Sequence, residues 1–355
     1  MKLLSLLLAL AMLLLSPLHA AAIDYKIVTA SERGTYIQIG RDLAKYVAPA
    51  ANIGLEVLPS KGSSENVQRL RYEPGVKLAL VQSDVYQAFL DQAAAGNAQA
   101  GRMIKPLRAV MPLYNEEIYF VVRADSPLQY IHEIRDRKLA IGPVGSGTAL
   151  SATTLYRLMF GKPLPEANAT YISNEEALIR LTTDKSIDVA VIVAGQPAKL
   201  FVDMKPEARR YIKLLRLDNA APETERALQT YYPAQIEKSS YPNWVDEPVP
   251  TLAVKAFLVT YDYGAAHGTA DNLAAFAKSL CSNFDTLQEK GHAKWKEVKL
   301  DLPTLGKGWS YYPPMERALR SCLANRGQND TRPMLNPASS GACTQQQKVL
   351  GLCGT

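Results

Sequence analysis

The chain has 355 residues, 47% of them apolar, and a formal net charge of +6. That is more chain than one hydrophobic core holds comfortably, so two domains are expected. Its 40 basic residues are opposed throughout by 34 acidic ones. No basic run of the kind that grips nucleic acid occurs, so nucleic acid is excluded as the expected partner.

Met1 and Lys2, an apolar run over residues 3–15 and the small residues Ala20, Ala21 and Ala22 read as a cleaved secretory signal peptide over residues 1–22. No cysteine lies nearby, so a lipid anchor is not expected, and no later stretch is apolar for long enough to cross a bilayer as a helix. Export as a soluble chain follows, and a monomer is expected. Residues 25–29 predict a strand, 36–47 an amphipathic helix, and 55–58 a second strand. A helix starts near Ser63, residues 76–81 form a buried third strand, and another helix follows Asp84.

The same order then repeats about 110 residues later. Residues 138–142 predict a strand, and a loop carrying Gly145 and Gly147 leads a helix from Thr148. A strand at 170–172, a helix capped by Ser173, a buried strand at 187–193 and a helix with Pro197 in its first turn follow. Residues 111–123 and 250–260 are long enough to cross between two lobes, and residues 271–290 predict one packing helix. The domain reading is residues 23–113 plus 251–320 for lobe I, 114–250 for lobe II, and a cysteine-containing extension over 321–355. Short apolar strands alternating with helices imply two mainly parallel α/β sheets, with ligands beyond the carboxyl ends of the strands.

All four cysteines, Cys281, Cys322, Cys343 and Cys353, fall late in the chain. Four cysteines in an exported protein allow three connectivities. The pairing expected is Cys281 with Cys322 and Cys343 with Cys353, since each closes a compact local unit. There is no C-x-x-C, and His132, His267 and His292 are far apart, so neither a metal site nor a cofactor is expected.

Several segments in this order resemble the TAXI subclass of solute receptors that serve tripartite ATP-independent periplasmic (TRAP) transporters. They are Gly34-Thr35-Tyr36 at a helix start, residues 62–66 (GSSEN), residues 78–84 (LALVQSD), residues 145–148 (GSGT), residues 193–195 (VAG) and residues 249–251 (VPT). The resemblance covers residues 25–318. It implies a type II periplasmic binding protein fold, two lobes joined by hinge strands, and delivery of glutamate, glutamine or another small carboxylate to membrane subunits of a TRAP transporter. Arg33 and the tail from Ser321 depart from the family's pattern.

The candidate ligand contacts are Gly34, Thr35, Tyr36, Ser63, Asn66, Gln82, Ser83, Tyr114, Gly145, Ser146, Gly147, Thr148 and Gly195. Gly34, Thr35 and the 145–148 loop offer helix-start N–H groups to a small anionic or zwitterionic solute. Ser63, Asn66, Ser83, Ser146 and Thr148 read equally as caps. Gln82, which leaves a buried strand, is costly to bury without a partner. Tyr36 and Tyr114 are candidate cleft walls, and Arg33 a candidate partner for a carboxylate. Changes at Ser146 or Gly147 are expected to weaken binding more than the fold. An enzyme is not expected, because no G-x-S-x-G surrounds Ser146 and no base is placed beside it. The alternative role is a ligand-sensing module for a membrane signalling protein; a hydrolase or transferase ranks behind it.

Overall fold

The computed structural model describes residues 23–32, 34–264, 267–306 and 308–330. The signal peptide, Arg33, Cys343 and Cys353 lie outside the described residues.

The first series is β1 (Ile23–Val28), α1 (Thr35–Asp42), β2 (Ile53–Leu58), α2 (Ser63–Tyr72), β3 (Val76–Gln82), α3 (Val85–Ala94) and α4 (Ala98–Ile104). A 17-residue strand, β4 (Leu107–Arg123), leads out of it. The second series is β5 (Leu139–Ala140), α5 (Gly147–Phe160), β6 (Ala169–Thr170), α6 (Asn174–Thr182), β7 (Val189–Ala194) and α7 (Lys199–Val202). Then come β8 (Ile212–Leu214), α8 (Pro222–Ala227), β9 (Tyr232–Ile236) and the returning β10 (Val249–Tyr261). Three helices close the described chain: α9 (His267–Ser282), α10 (Phe284–Lys290) and α11 (Pro313–Asp330).

All ten strands join in one sheet of order β2-β1-β3-β10-β4-β7-β5-β6, with β8 on β4 and β9 on β10. Its two halves repeat each other. In each, the first strand of the series lies between the second and third, parallel to both, and the third meets a long antiparallel strand: β10 beside β3, β4 beside β7. β4 and β10 pair with each other from Leu107 opposite Tyr261 to Glu117 opposite Ala253, so two long strands pass through both lobes.

Strands buried on both faces account for the apolar runs. In β3, Leu78 and Leu80 face the core under α1 and α9, whereas Ala79 and Val81 face the core under α2 and α3. In β4, Ile118, Phe120 and Val122 enter one lobe II core while Tyr119 and Val121 enter the other. The period of two thus feeds a helical layer on each side. Cys281 on α9 is bonded to Cys322 on α11, as expected, with Cα atoms 6.3 Å apart.

Beyond shifts of a few residues at strand ends, four segments depart from the sequence reading. The 138–142 strand shortens to Leu139–Ala140, since the Lys138 N–H goes to the Asp188 carboxylate and Gly142 takes φ +80°. The 36–47 helix stays regular to Asp42, widens to a π turn over Leu43–Val47, and stops at Asn52 in the left-handed region. The 271–290 helix divides at Asn283, whose side-chain amide donates back to the Ser279 carbonyl. Pro197 falls before the cap of α7, where the Tyr241 hydroxyl receives the Ala198 N–H.

The lobes also meet along a seam behind the cleft. Leu150 of α5 enters the core built by α2, α3 and α4. Nearby, the buried Asp84 accepts hydrogen bonds from Ser151 and from Tyr231, both at 2.7 Å, and Arg157 pairs with Asp91.

Candidate functional site

A cavity of about 980 Å³ lies between the lobes. Lobe I presents the starts of α1 and α2 to it. Both have glycine as N-cap, Gly34 and Gly62, and neither N-cap accepts a hydrogen bond through a side chain. The first-turn N–H groups of a helix have no partner within it, so these two starts offer donors and a partial positive charge to the cavity. Lobe II presents the starts of α5 and α6, each with one first-turn donor taken by its cap, and the start of the four-residue α7, whose N-cap Ala198 makes no side-chain hydrogen bond. Ser146 Oγ accepts from the Ala149 N–H, and Ser173 Oγ from the Glu176 N–H, each at 3.1 Å.

The loops touch across the cleft on one side. Gly62 has φ +122°, and a Cβ there would stand 2.9 Å from the Gly147 backbone nitrogen, so glycine answers both backbone strain and close approach. Gly147 in turn packs on the end of the Gln82 side chain. Gln82 Oε1 lies 3.3 Å from Ser63 Oγ and 3.4 Å from Ser151 Oγ, one hydroxyl from each lobe. Gln82 therefore bridges the lobes, and the 145–148 loop has its nearest lobe I neighbours at Gly62 and Gln82. Ser31, Glu32, Gly34 and Thr35 also line the cavity.

Eight of the thirteen candidate residues line the cavity: Gly34, Thr35, Tyr36, Ser63 and Gln82 from lobe I, and Ser146, Gly147 and Thr148 from lobe II. The other five are not in the lining. Asn66 spends its amide on the Thr29 and Leu80 carbonyls at 2.5 and 2.6 Å, tying α2 to β1 and β3. Ser83 Oγ accepts from the Lys255 N–H at 3.3 Å, a tie between β3 and β10. Tyr114 is 1% exposed, and Gly195 is packed against its ring and against Lys294. Gly145 borders a separate cavity of about 310 Å³ beside α3 and α5.

Glu116 is a lining residue that the sequence reading passed over. It projects from β4, is 6% exposed, and accepts a 2.7 Å hydrogen bond from the Tyr36 hydroxyl. Burial, reinforced by Glu117 and Asp84, pushes its carboxyl up to about 8 against the pull of Tyr36 and Lys294. Glu117 is pushed up to about 6, again chiefly by burial; Lys294 lies 3.8 Å away, and the Gln196 N–H donates to it at 2.9 Å. A signal was present: two adjacent glutamates interrupt the apolar run MPLYNEEIYFVVR, and buried charges in a strand require an explanation. Charged residues around the cavity comprise four carboxylates, Glu32, Glu116, Glu175 and Asp203, and two lysines, Lys61 and Lys199, among the described residues.

Two α/β lobes of matching strand order, threaded by two long strands and enclosing a cavity at the helix starts, constitute the type II periplasmic binding protein fold. The chain belongs to the NMT1-like family, which matches it over residues 27–308. Among solved structures it is similar to XAC2383 from Xanthomonas citri bound to ATP, at 15% identity over 87% of this chain and 99% of that one, TM-score 0.43. It is also similar to a periplasmic transporter, at 11% identity over 87% and 98%, TM-score 0.47. A third is the periplasmic binding protein BugD, at 13% identity over 86% and 95%, TM-score 0.45. Likeness at this distance carries nothing about the ligand.

Proposed function

We propose that this protein is a periplasmic solute receptor, active as a monomer, that encloses a small carboxylate or amino acid such as glutamate between its lobes. Delivery to the membrane subunits of a TRAP-type transporter completes the reading. The observation that carries the solute is the pair of uncapped helix starts behind Gly34 and Gly62, which open on a cavity between lobes. A carboxylate there supplies the acceptors that no N-cap side chain provides, and each helix start contributes about 1 kcal/mol beyond its hydrogen bonds. The solute binds lobe I first, and lobe II adds Thr148 and the 145–148 loop on closure. The closed state gains by the difference in affinity between the two forms. The transporter assignment rests on the segments shared with the TAXI receptors.

Native mass spectrometry of protein purified from the periplasm without refolding tests the solute reading. The expected result is one small solute per chain, lost on denaturation. No bound mass, together with no thermal stabilisation by any carboxylate or amino acid in a broad panel, overturns it.

A further inference from the structure

Glu116 is a carboxyl on the cavity wall that the two helix starts do not account for. Its side chain is almost wholly buried, yet it borders the cavity, and only one of its oxygens, Oε2, has a hydrogen-bond partner among the described residues. The groups around it come from every packed element. Tyr36 arrives from α1, Tyr114 and Glu117 from β4, Asp84 from the end of β3, and Lys294 from the turn Ala293–Glu297. Two of the acidic groups in this nest, Glu116 and Glu117, share the influence of one ammonium. That ammonium is already held by Glu297 at 2.8 Å and stands 3.8 Å from Glu117. The Tyr114 hydroxyl and Asp84 Oδ1 are buried with no hydrogen-bond partner among the described residues. The nest is therefore short of positive charge, and Asp84 Oδ1 in it is an unused acceptor.

We propose that Glu116, positioned by Tyr36, receives a protonated nitrogen of the solute, so that the ligand is an amino acid or similar zwitterion whose carboxylate faces the starts of α1 and α2. This deepens the solute-receptor reading and rests on it. In the empty cavity burial keeps Glu116 largely protonated at neutral pH. An incoming ammonium favours the ionised form, so Glu116 releases its proton to solvent while the ligand nitrogen keeps its own. A carboxylic acid lacking that nitrogen obtains no such partner. The competing arrangement has a neutral Glu116 donating a hydrogen bond to a ligand oxygen.

Matched pairs separate the two arrangements: L-glutamate with glutarate, L-aspartate with succinate, and L-leucine with 4-methylpentanoate. Each is titrated calorimetrically at pH 6, 7 and 8, in phosphate and in Tris, against the wild type, Glu116→Gln and Tyr36→Phe. In at least one pair the amino acid is expected to bind at least tenfold more tightly than its des-amino partner. Its affinity should rise by about tenfold per pH unit below 8, with close to one proton released at pH 6 to 7. Glu116→Gln should abolish both the preference and the proton release. Tyr36→Phe, which keeps the carboxyl, should reduce the preference, and it serves as the variant of record if Glu116→Gln does not fold.

Equal or tighter binding of the des-amino acids, affinity that falls with rising pH, or a preference that survives Glu116→Gln overturns the assignment and leaves the receptor reading standing. So does a co-purified solute without a basic nitrogen. Failure of every pair together with no co-purified solute overturns the receptor reading itself.

Discussion

The two lobes repeat one strand order yet finish their helix starts in opposite ways. Lobe I places glycine at the N-caps of α1 and α2, whereas lobe II places Ser146 and Ser173, each of whose hydroxyls takes one first-turn donor of α5 or α6. Both sets face one cavity, although a helix end offers a ligand only the donors its own cap has left free. The difference at α1, α2, α5 and α6 is what supports the proposal that an anion is held by lobe I while lobe II closes over it. Ser146 belongs to both descriptions, since it caps α5 and also lines the cavity.

The largest expected effect comes from the disulfide that fastens α11 to α9 of lobe I. Replacing Cys281 and Cys322 by serine frees a loop of 41 residues and should cost about 4 kcal/mol on chain-entropy grounds. Followed by denaturant and two probes, one per lobe, the variant should still unfold in a single step, because Leu150 and Asp84 tie the lobes together. Two separated transitions would break the picture of a shared seam.

Asp84→Ala attacks that seam directly. It removes an acceptor used by Ser151 and Tyr231 and should lower stability by about 1–3 kcal/mol at pH 5. The sign of the pH effect follows from burial, which raises the Asp84 carboxyl from 3.8 to about 6. The folded protein holds this proton more tightly than the unfolded chain. The contribution is therefore complete below pH 4 and is lost as pH rises through about 6. Melting temperatures of the wild type should fall over that window, and Asp84→Ala should flatten part of the slope. Glu117 and Glu116, whose carboxyls burial also raises, contribute to the slope in the same range.

The smallest effects compare the caps themselves. Ser146→Ala should cost about 1 kcal/mol of stability. Gly34→Ser is the converse, because the backbone there (φ −84°, ψ 169°) suits a capping serine and the new Cβ would lie 3.3 Å from the Ser31 carbonyl oxygen. It should change stability by only a few tenths of a kcal/mol. Solute affinity should fall about fivefold, the value of roughly 1 kcal/mol at one helix start. Unchanged affinity in Gly34→Ser would remove the distinction between the lobes.

By itself, the amino-acid sequence determined what short-range forces control. Apolar runs bounded by glycine and proline specified the strands, Gly145 and Gly147 marked the tight loop before α5, and two crossing strands followed from their length. Tertiary structure decided which polar side chains reach the cavity. Asn66, Ser83 and Gln82 all sit at ends or starts of elements beside the cleft. Asn66 turns to the Thr29 and Leu80 carbonyls and Ser83 to Lys255, while Gln82 reaches the wall between Ser63 and Ser151. Glu116 meets Tyr36, 80 residues earlier in the chain, only because β4 crosses beneath the start of α1. Local sequence carries propensity and periodicity over a few residues, but the burial and partners of a charge are set by pairing register and by packing between distant segments. The carboxyl proposed to define this protein's ligand is therefore visible in the sequence as an anomaly and in the fold as a site.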